Sequence, residues 1–270
     1  MSAPSTSPPR PKAIIFDLLT ALLDSWTAWT LALSTALNEP EPTTPTHDLA
    51  THWRHTYLAL TYTHKGPYTP YAALVHLAAQ QTPGVPPRAA EVLLENYVAW
   101  LAPWPEARAV LGRLRREGYA VGVATNCSEV LGRGAAGVLE DGCGTTATMK
   151  TARSEGLGRE EGEEEDGDER EGRGGGSAGF VFDAVVTAEE SGWYKPAPGA
   201  YAAVLDRLGC RADEVVFVAG SAADVPGARG AGIERVVWHN RVGMEAKPGA
   251  EGLAEKEGAT LWEVLEGVVL

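Results

Sequence analysis

Short apolar runs recur along the chain at 13–17, 119–124, 184–187, 215–219 and 235–238. Apolar runs of this length that do not alternate with polar residues are typical of strands buried on both faces. Amphipathic segments, which predict helices, separate most of these runs. Strands that alternate with helices in this way indicate an α/β fold built on a doubly wound parallel sheet.

The stretch 26–101 interrupts this alternation and contains no buried strand. Its helix-like segments lie at 48–63, 71–80 and 89–100. We therefore expect a helical domain at 26–101, inserted into an α/β core formed by 12–25 and 102–270. Residues 1–11, which are rich in Pro and Ser, should form a disordered tail.

A second interruption, 140–179, has the composition of a disordered acidic loop within the core. Between positions 155 and 173 there are 10 Asp or Glu residues and 3 Arg residues, with glycines among them. Such a segment cannot bury enough apolar surface to offset the entropy lost on ordering. We interpret it as a low-complexity insertion without a packing role, in preference to an interaction tail.

Charge and cysteine content exclude several classes of protein. A formal net charge of −13 argues against nucleic-acid binding, which needs a basic face. Three scattered cysteines, Cys127, Cys143 and Cys210, fit neither a disulfide framework nor a zinc site, and they indicate reduced thiols in the cytoplasm. No apolar run approaches the roughly 20 residues of a membrane helix, and the first twelve residues lack the apolar core of a secretion signal.

Polar side chains follow four of the predicted strands. They are Asp17, the pair Thr125 and Asn126, Lys195, and the pair Ser221 and Asp224. Ligands of open α/β sheets bind beyond the carboxyl ends of the strands, so we expect these groups to converge. A carboxylate nucleophile needs a nearby cation to stay ionised, and it needs donors placed where negative charge develops.

These groups stand in four stretches that match, in order, the motifs of the haloacid dehalogenase superfamily. They are 15–19 with Asp17, 123–126 with Thr125 and Asn126, Lys195-Pro196 followed by Tyr201, and 224–232 beginning at Asp224. The superfamily inserts a helical cap between its first and second motifs, where 26–101 lies. Within that stretch, Trp53-Arg54 resembles a pair in the 2-haloacid dehalogenases whose Arg reaches the active site. The resemblance implies a Rossmann-like core with an inserted cap.

The resemblance to the (S)-2-haloacid dehalogenases also implies residue roles. Asp17 would displace halide and form an ester, Lys195 would keep Asp17 ionised, and Asp224 would activate water. The side chains expected to bind substrate are Arg54, Thr125, Asn126, Tyr201 and Ser221. The partner would be a small anionic substrate, no cofactor is implied, and a homodimer is left open.

Several positions depart from the family patterns. Leu19 stands where phosphatases of the superfamily carry a second Asp and dehalogenases an aromatic residue. Ala21 replaces a hydroxyl residue, Ala219 an acidic residue or Ser, and Ser221 the Asn of the dehalogenases. Asp17 and Asp224 alone would make a poor Mg²⁺ site. Magnesium is expected only if the protein is a phosphatase, which is one alternative; a non-catalytic anion-binding protein is the other.

Other signals have simpler explanations. The G-x-G-x-x-G pattern at 132–137 begins eight residues after a predicted strand, and we attribute it to the abundance of glycine. His47, His52 and His55 lack a carboxylate or Cys that would complete a metal site. Cys127 lies beside the predicted site, but it is better explained as a small buried residue than as a nucleophile.

Overall fold

The computed structural model describes residues 9–64, 66–140 and 180–270. These residues form eight strands: β1 (Ala13–Asp17), β2 (Leu23–Asp24), β3 (Ala102–Pro103), β4 (Ala120–Thr125), β5 (Ala184–Thr187), β6 (Val215–Ala219), β7 (Arg235–His239) and β8 (Lys256–Gly258). Six of them form one sheet in the order β5-β4-β1-β6-β7-β8, with every neighbouring pair parallel. The predicted α/β fold with a doubly wound parallel sheet is therefore confirmed.

Strand β1 lies at the centre of this sheet, between β4 and β6. Its residues alternate between two apolar clusters: Ile14 and Phe16 belong to one, Ala13 and Ile15 to the other. Both faces of the strand are buried, which explains why its sequence is an unbroken apolar run. Asp17 is the last residue of β1, so the central strand delivers a carboxylate to the edge where parallel strands end.

The described residues also form ten α-helices: α1 (Trp26–Leu37), α2 (Thr44–Thr63), α3 (Tyr71–Gln81), α4 (Arg88–Trp100), α5 (Ala107–Arg116), α6 (Glu129–Gly137), α7 (Ala188–Ser191), α8 (Pro198–Leu208), α9 (Asp224–Gly230) and α10 (Leu261–Leu265). The first four occupy the predicted cap, 26–101. Helix α2 begins four residues before the prediction, because the Thr43 side chain accepts from Thr46 N–H and Pro45 fits the first turn.

Short antiparallel strands tie the two connections between core and cap together. Leu23 pairs with Pro103 and Asp24 with Ala102, so the two connections run side by side in opposite directions. Trp104 follows β3 and donates its indole N–H to the Thr20 carbonyl at 3.0 Å. This hydrogen bond fixes the cap connection to the turn that follows Asp17.

Contacts with the core begin earlier than the predicted end of the tail at residue 11. Pro11 is buried, and Arg10 donates to the Tyr119 hydroxyl at 3.1 Å while its guanidinium lies 4.4 Å from the Tyr119 ring centroid. The sequence prediction ended the tail too late, because a Pro/Ser-rich composition does not register single contacts of this kind. None of the helices in the described ranges is long and apolar enough to span a membrane.

The predicted acidic insertion, 140–179, lies outside the described residues from position 141 onward. The residues on either side of it are held together. Glu140 accepts a hydrogen bond from Phe182 N–H at 3.0 Å, and Arg108 donates to the Leu139 carbonyl at 3.1 Å. The two flanks therefore meet on the core.

We predict that deleting 145–177 changes the melting temperature by no more than a few degrees. The flanks keep their mutual hydrogen bond, and loop length has only a small effect on closure entropy. Thermal unfolding of the deletion variant and the full chain checks this. As a control, Phe182→Ala truncates a buried ring and should cost about 3–5 kcal/mol of unfolding free energy. A loss as large on deletion would mean that the segment packs on the core.

Candidate functional site

A buried lysine joins two carboxylates at the carboxyl edge of the sheet. Lys195 Nζ lies 2.6 Å from Asp17 Oδ1 and 3.1 Å from Asp224 Oδ2, and all three side chains are buried. Asp17 ends β1, Asp224 begins α9 after the neighbouring strand β6, and Lys195 lies in the connection between α7 and α8. Three of the residues selected from the sequence thus converge on one point.

The two oxygens of Asp17 have different surroundings. Oδ1 accepts from Lys195, whereas Oδ2 accepts from Thr20 N–H at 2.8 Å, from the Thr20 hydroxyl at 2.5 Å and from Ala21 N–H at 3.3 Å. Gly220 permits this arrangement, since a Cβ there would lie 2.3 Å from both Ala21 N and Thr20 Oγ1. One oxygen of the carboxylate is therefore enclosed by donors, and the other is held by a single cation.

These surroundings move the pKa values of the two carboxyls in opposite directions. Burial raises the pKa of Asp17, but the charge of Lys195 and the hydrogen bonds from Lys195 and Thr20 outweigh it, and the pKa lies below its ordinary value. Burial also raises the pKa of Asp224. The charge of Lys195 opposes this increase, but the negative charge of Asp17 adds to it, so the pKa of Asp224 lies above its ordinary value. Asp17 is thus the carboxyl that stays ionised, and Asp224 the one that binds a proton more readily.

The ammonium of Lys195 remains charged. Burial lowers the pKa of this lysine, but the charges of Asp17 and Asp224 more than compensate, so the pKa is raised. Its backbone is fixed by Asn126, whose amide oxygen accepts from Lys195 N–H at 2.7 Å and whose amide nitrogen donates to the Lys195 carbonyl at 2.9 Å. The Asn126 amide, expected to bind substrate, holds the lysine instead.

Tyr201 also has a different place from the one expected. Its hydroxyl donates to Asp224 Oδ1 at 3.0 Å, and its ring is fully buried beneath the site. It does not line the cavity above Asp17, so it supports Asp224 and has no access to a substrate there. The sequence motif placed Tyr201 near the site, but it could not show that Tyr201 contacts Asp224 from the core and not from the cavity.

A small cavity of about 40 Å³ lies above the carboxylates. The core contributes Asp17, Leu19, Thr20, Thr125, Asn126, Lys195, Ser221 and Asp224 to its lining, and the cap contributes Trp29, Arg54, Tyr57, Leu58, Tyr62, Tyr71 and Tyr97. Tyr57 also joins the two parts, since its hydroxyl donates to the Asn126 carbonyl at 2.9 Å. The cavity therefore has an aromatic roof and a charged floor.

Arg54 brings a second cation into this cavity from helix α2. Its side chain is buried, Nη2 donates to the Ser25 hydroxyl at 2.7 Å, and the guanidinium lies 3.8 Å from the Trp26 ring centroid. Nη1 is buried and has no hydrogen-bond partner within the described residues. A buried donor without an acceptor is costly, so this nitrogen is suited to bind an anion that enters the cavity.

The sequence missed several residues of the site. On helix α2, Arg54, Tyr57 and Leu58 line the cavity. Thr61 does not line it, and its hydroxyl donates to the carbonyl of Leu58 within the helix. Spacing by four residues from Leu58 would have pointed to Tyr62. Thr20 was not predicted, because the family pattern places its hydroxyl residue at the following position, which is Ala21 here.

The remaining signals do not add a second site. The glycine pattern at 132–137 lies in α6, where a Cβ on Gly132 would come 2.4 Å from a Thr187 methyl, so this glycine serves close packing on β5. Burial raises the pKa of Cys127 to about 12, which keeps the thiol protonated. Among residues 9–64, 66–140 and 180–270, no three His, Cys, Asp or Glu side chains form a group able to hold a metal ion.

Comparison with known proteins agrees with this description. A family model described as haloacid dehalogenase-like hydrolase matches residues 11–232. The solved structure of the L-2-haloacid dehalogenase from Xanthobacter autotrophicus is similar, with a TM-score of 0.68 and 19% identity over 96% of this chain and all of that one. The same enzyme with chloropropionic acid covalently bound gives a TM-score of 0.65 and 18% identity, again over 96% and 100% of the two chains.

A phosphatase shares the fold less closely. The haloacid dehalogenase-type phosphatase from Thermococcus onnurineus gives a TM-score of 0.53 and 22% identity, over 95% of this chain and 97% of that one. Comparison with curated protein sequences gives no match. At these identities the similar structures establish the fold alone.

We predict that Thr20→Val raises the pKa of Asp17, because the lost hydroxyl donates to the ionised carboxylate. An Asp whose pKa is lowered by folding adds stability above its unfolded pKa, and this stability disappears as the pH falls through the folded value. The variant should therefore lose about 1.5–3 kcal/mol at neutral pH and less in acid. NMR titration of the Asp17 carboxyl carbon measures the shift, with Thr20→Ser as the control that keeps the hydroxyl. An unchanged pKa in the Val variant would contradict this account.

Proposed function

Because the chain belongs to the haloacid dehalogenase-like hydrolases, we propose that it hydrolyses a small 2-haloacid through an ester formed on Asp17. The observation that carries the proposal is Arg54, a buried cation that lines the same cavity as Asp17 and has one nitrogen without a hydrogen-bond partner among the described residues. The substrate carboxylate and the departing halide are both anions, and a guanidinium suits either. A cavity of about 40 Å³ has room for roughly three water molecules on this measure, so the reacting part of the substrate must be small.

In the first step, Asp17 Oδ1 attacks the carbon that bears the halogen. Oδ1 has one hydrogen-bond partner, Lys195, whereas Oδ2 has three donors around it, so Oδ1 keeps a lone pair for the attack. The new bond joins Oδ1 to the α-carbon. The carbon–halogen bond breaks, and its electron pair leaves with the halide toward Arg54.

In the second step, water attacks the carboxyl carbon of the Asp17 ester. Negative charge then develops on Oδ2, where Thr20 N–H, the Thr20 hydroxyl and Ala21 N–H already stand as donors. Asp224, whose pKa is raised, accepts the proton of the water. The bond between the carboxyl carbon and Oδ1 breaks, and Asp224 returns the proton to Oδ1, which leaves as the hydroxyl oxygen of the 2-hydroxyacid. The regenerated Asp17 carboxyl then loses its proton to solvent and is again ionised.

We propose further that this chain works without a metal ion. The ammonium of Lys195 already lies between the carboxylates that would have to hold Mg²⁺, Asp17 and Asp224. Leu19 supplies no carboxylate, and its carbonyl oxygen accepts a hydrogen bond from the Ser25 hydroxyl. The donor set does not fit the oxygen ligation that magnesium prefers.

Two alternatives use the same residues differently. A phosphatase would keep Asp17 as nucleophile with Thr125 and Lys195 around the phosphoryl group, but Leu19 removes the general acid, which usually contributes 10²- to 10⁴-fold. A non-catalytic protein would bind a small anion at Arg54 without turnover. Magnesium-dependent hydrolysis of an aryl phosphate would favour the first. Anion binding that is unaffected by Asp17→Asn, in a protein that turns over neither substrate class, would favour the second.

We predict that the protein releases chloride from 2-chloropropionate, that a chelator does not reduce the rate, and that Asp17→Asn abolishes it. A single turnover in ¹⁸O-water should leave the product hydroxyl unlabelled and place the label in Asp17, because Asp17 supplies that oxygen. Chloride release and mass spectrometry measure the two outcomes. Activity that survives in Asp17→Asn would exclude the ester mechanism.

We predict that Arg54→Lys and Arg54→Ala lower kcat/KM for 2-chloropropionate by one to several factors of about ten. The Lys variant loses the planar two-pronged contact, and the Ala variant loses the charge as well. Arg88, an exposed cap arginine that lines none of the cavities at the site, provides the matched control through Arg88→Ala. Unchanged kinetics in Arg54→Ala would show that Arg54 has no role in binding the substrate.

A further inference from the structure

A second, larger cleft adjoins the catalytic cavity. It has a volume of about 570 Å³ and lies between helix α2 and the core loop 242–247. Two side chains of α2, Leu58 and Tyr62, line both spaces and so form the partition between them. On the core side, Ser221 lines the cavity and the next residue, Ala222, lines the cleft.

Resting on the function proposed above, we propose that this cleft binds the side chain of the substrate. The substrate would then be a 2-haloacid with an apolar side chain of four or more carbon atoms. The small cavity would hold only the carboxylate, the halogen and the α-carbon. The remaining carbon atoms would pass the partition into the cleft.

The lining of the cleft determines the chemistry of the side chain that it accepts. Its walls are mainly apolar and include Trp26, Leu58, Ala222, Val242 and Met244, with His47, Thr51 and His55 as polar members. Burial lowers the pKa of His55 and so favours its neutral form. Glu245 and Lys247 carry opposite charges at its exposed rim, so they offer no net attraction to a second charged group. Burial of an apolar chain on such walls is favourable in free energy. A second carboxylate would lose hydration, and the oppositely charged pair Glu245 and Lys247 would not compensate for that loss.

The geometry of α2 gives the substrate a direction. Arg54, Leu58 and Tyr62 follow one another at intervals of four residues and lie on one face of the helix. A carboxylate or halide at Arg54 therefore lies at one end of this face, and the partition begins one turn further along. A chain that runs along the helix from Arg54 reaches the cleft without crossing the charged floor.

Tyr62 is held in the partition by weak contacts only. Its buried hydroxyl interacts with Ser221 without reaching good hydrogen-bond geometry in the described part of the chain, and burial raises its pKa to about 12, so it stays protonated. The Lys247 ammonium lies 4.8 Å from the Tyr62 ring centroid on the open side. Moving the ring aside gives up only this weak interaction and the contact with the Lys247 ammonium, so a chain can pass.

The test compares bromide release from 2-bromohexanoate and 2-bromopropionate by the full chain. Their side chains differ by three methylene groups, and burying these in a partly open cleft should raise kcat/KM for the longer acid about tenfold. Met244→Trp fills the cleft without touching the catalytic cavity, so it should bring the ratio to about one and leave 2-bromopropionate unchanged. Val130→Trp, at a position that is 85% exposed on α6, is the matched control and should leave the ratio as it is. Val242→Trp repeats the test if Met244→Trp does not fold.

Equal rates for the two acids in the wild-type chain would overturn the inference. So would a Met244→Trp variant that slows both acids alike. If neither acid releases bromide, the proposed function fails, and the cleft is then tested by calorimetry with unreactive hexanoate and propionate. Hexanoate should bind about tenfold more tightly, and Met244→Trp should remove the difference. Equal binding of the two acids would overturn the cleft proposal separately.

Discussion

The site depends on one buried ammonium held between two carboxylates. Taking Asp17, Lys195 and Asp224 out of water is costly, and their mutual attraction offsets the cost only when the geometry is close and the remaining polar atoms are satisfied. The fold provides this: β1 and β6 are neighbours in the sheet, Asn126 fixes the lysine backbone, and Tyr201 holds the free oxygen of Asp224. Removing the ammonium would leave two carboxyls buried without a compensating cation, whereas removing either carboxylate would leave Lys195 paired with the other.

The same arrangement makes two chemically identical side chains unequal. Asp17 receives the lysine and, on its other oxygen, the donors of Thr20 and Ala21, all of which favour the ionised form. Asp224 receives a more distant contact from the lysine and lies beside the negative charge of Asp17, which favours the protonated form. One carboxylate is thereby suited to attack and the other to accept a proton. Separation of this kind is how a pair of carboxyls divides acid–base roles at one pH.

The sequence predicted those features that local pattern determines. Strands buried on both faces leave unbroken apolar runs, and their carboxyl ends converge in any parallel sheet, which is why Asp17, Lys195 and Asp224 could be grouped before the structure was known. Strands of two or three residues, such as Leu23–Asp24, are too short to show a hydrophobic pattern in the sequence. They are defined only by their pairing in the folded protein. The partner of Asn126 could not be predicted either, because it depends on where a distant loop packs.

The aromatic roof strengthens the electrostatic interactions of the charged groups below it, because it limits their contact with water. Trp29 and Tyr57 cover the cavity with rings, and a hydrogen bond from Tyr57 to the core closes the gap between cap and sheet. Charges interact more strongly where water is excluded, so Lys195 and Arg54 act on an anion here with more force than they would in an open cleft. An anion that enters such a site loses part of its hydration, and protein donors have to replace it. Arg54 Nη1 and the Tyr71 hydroxyl are buried donors of this cavity that have no hydrogen-bond partner among the described residues, and of the two Arg54 also carries a positive charge.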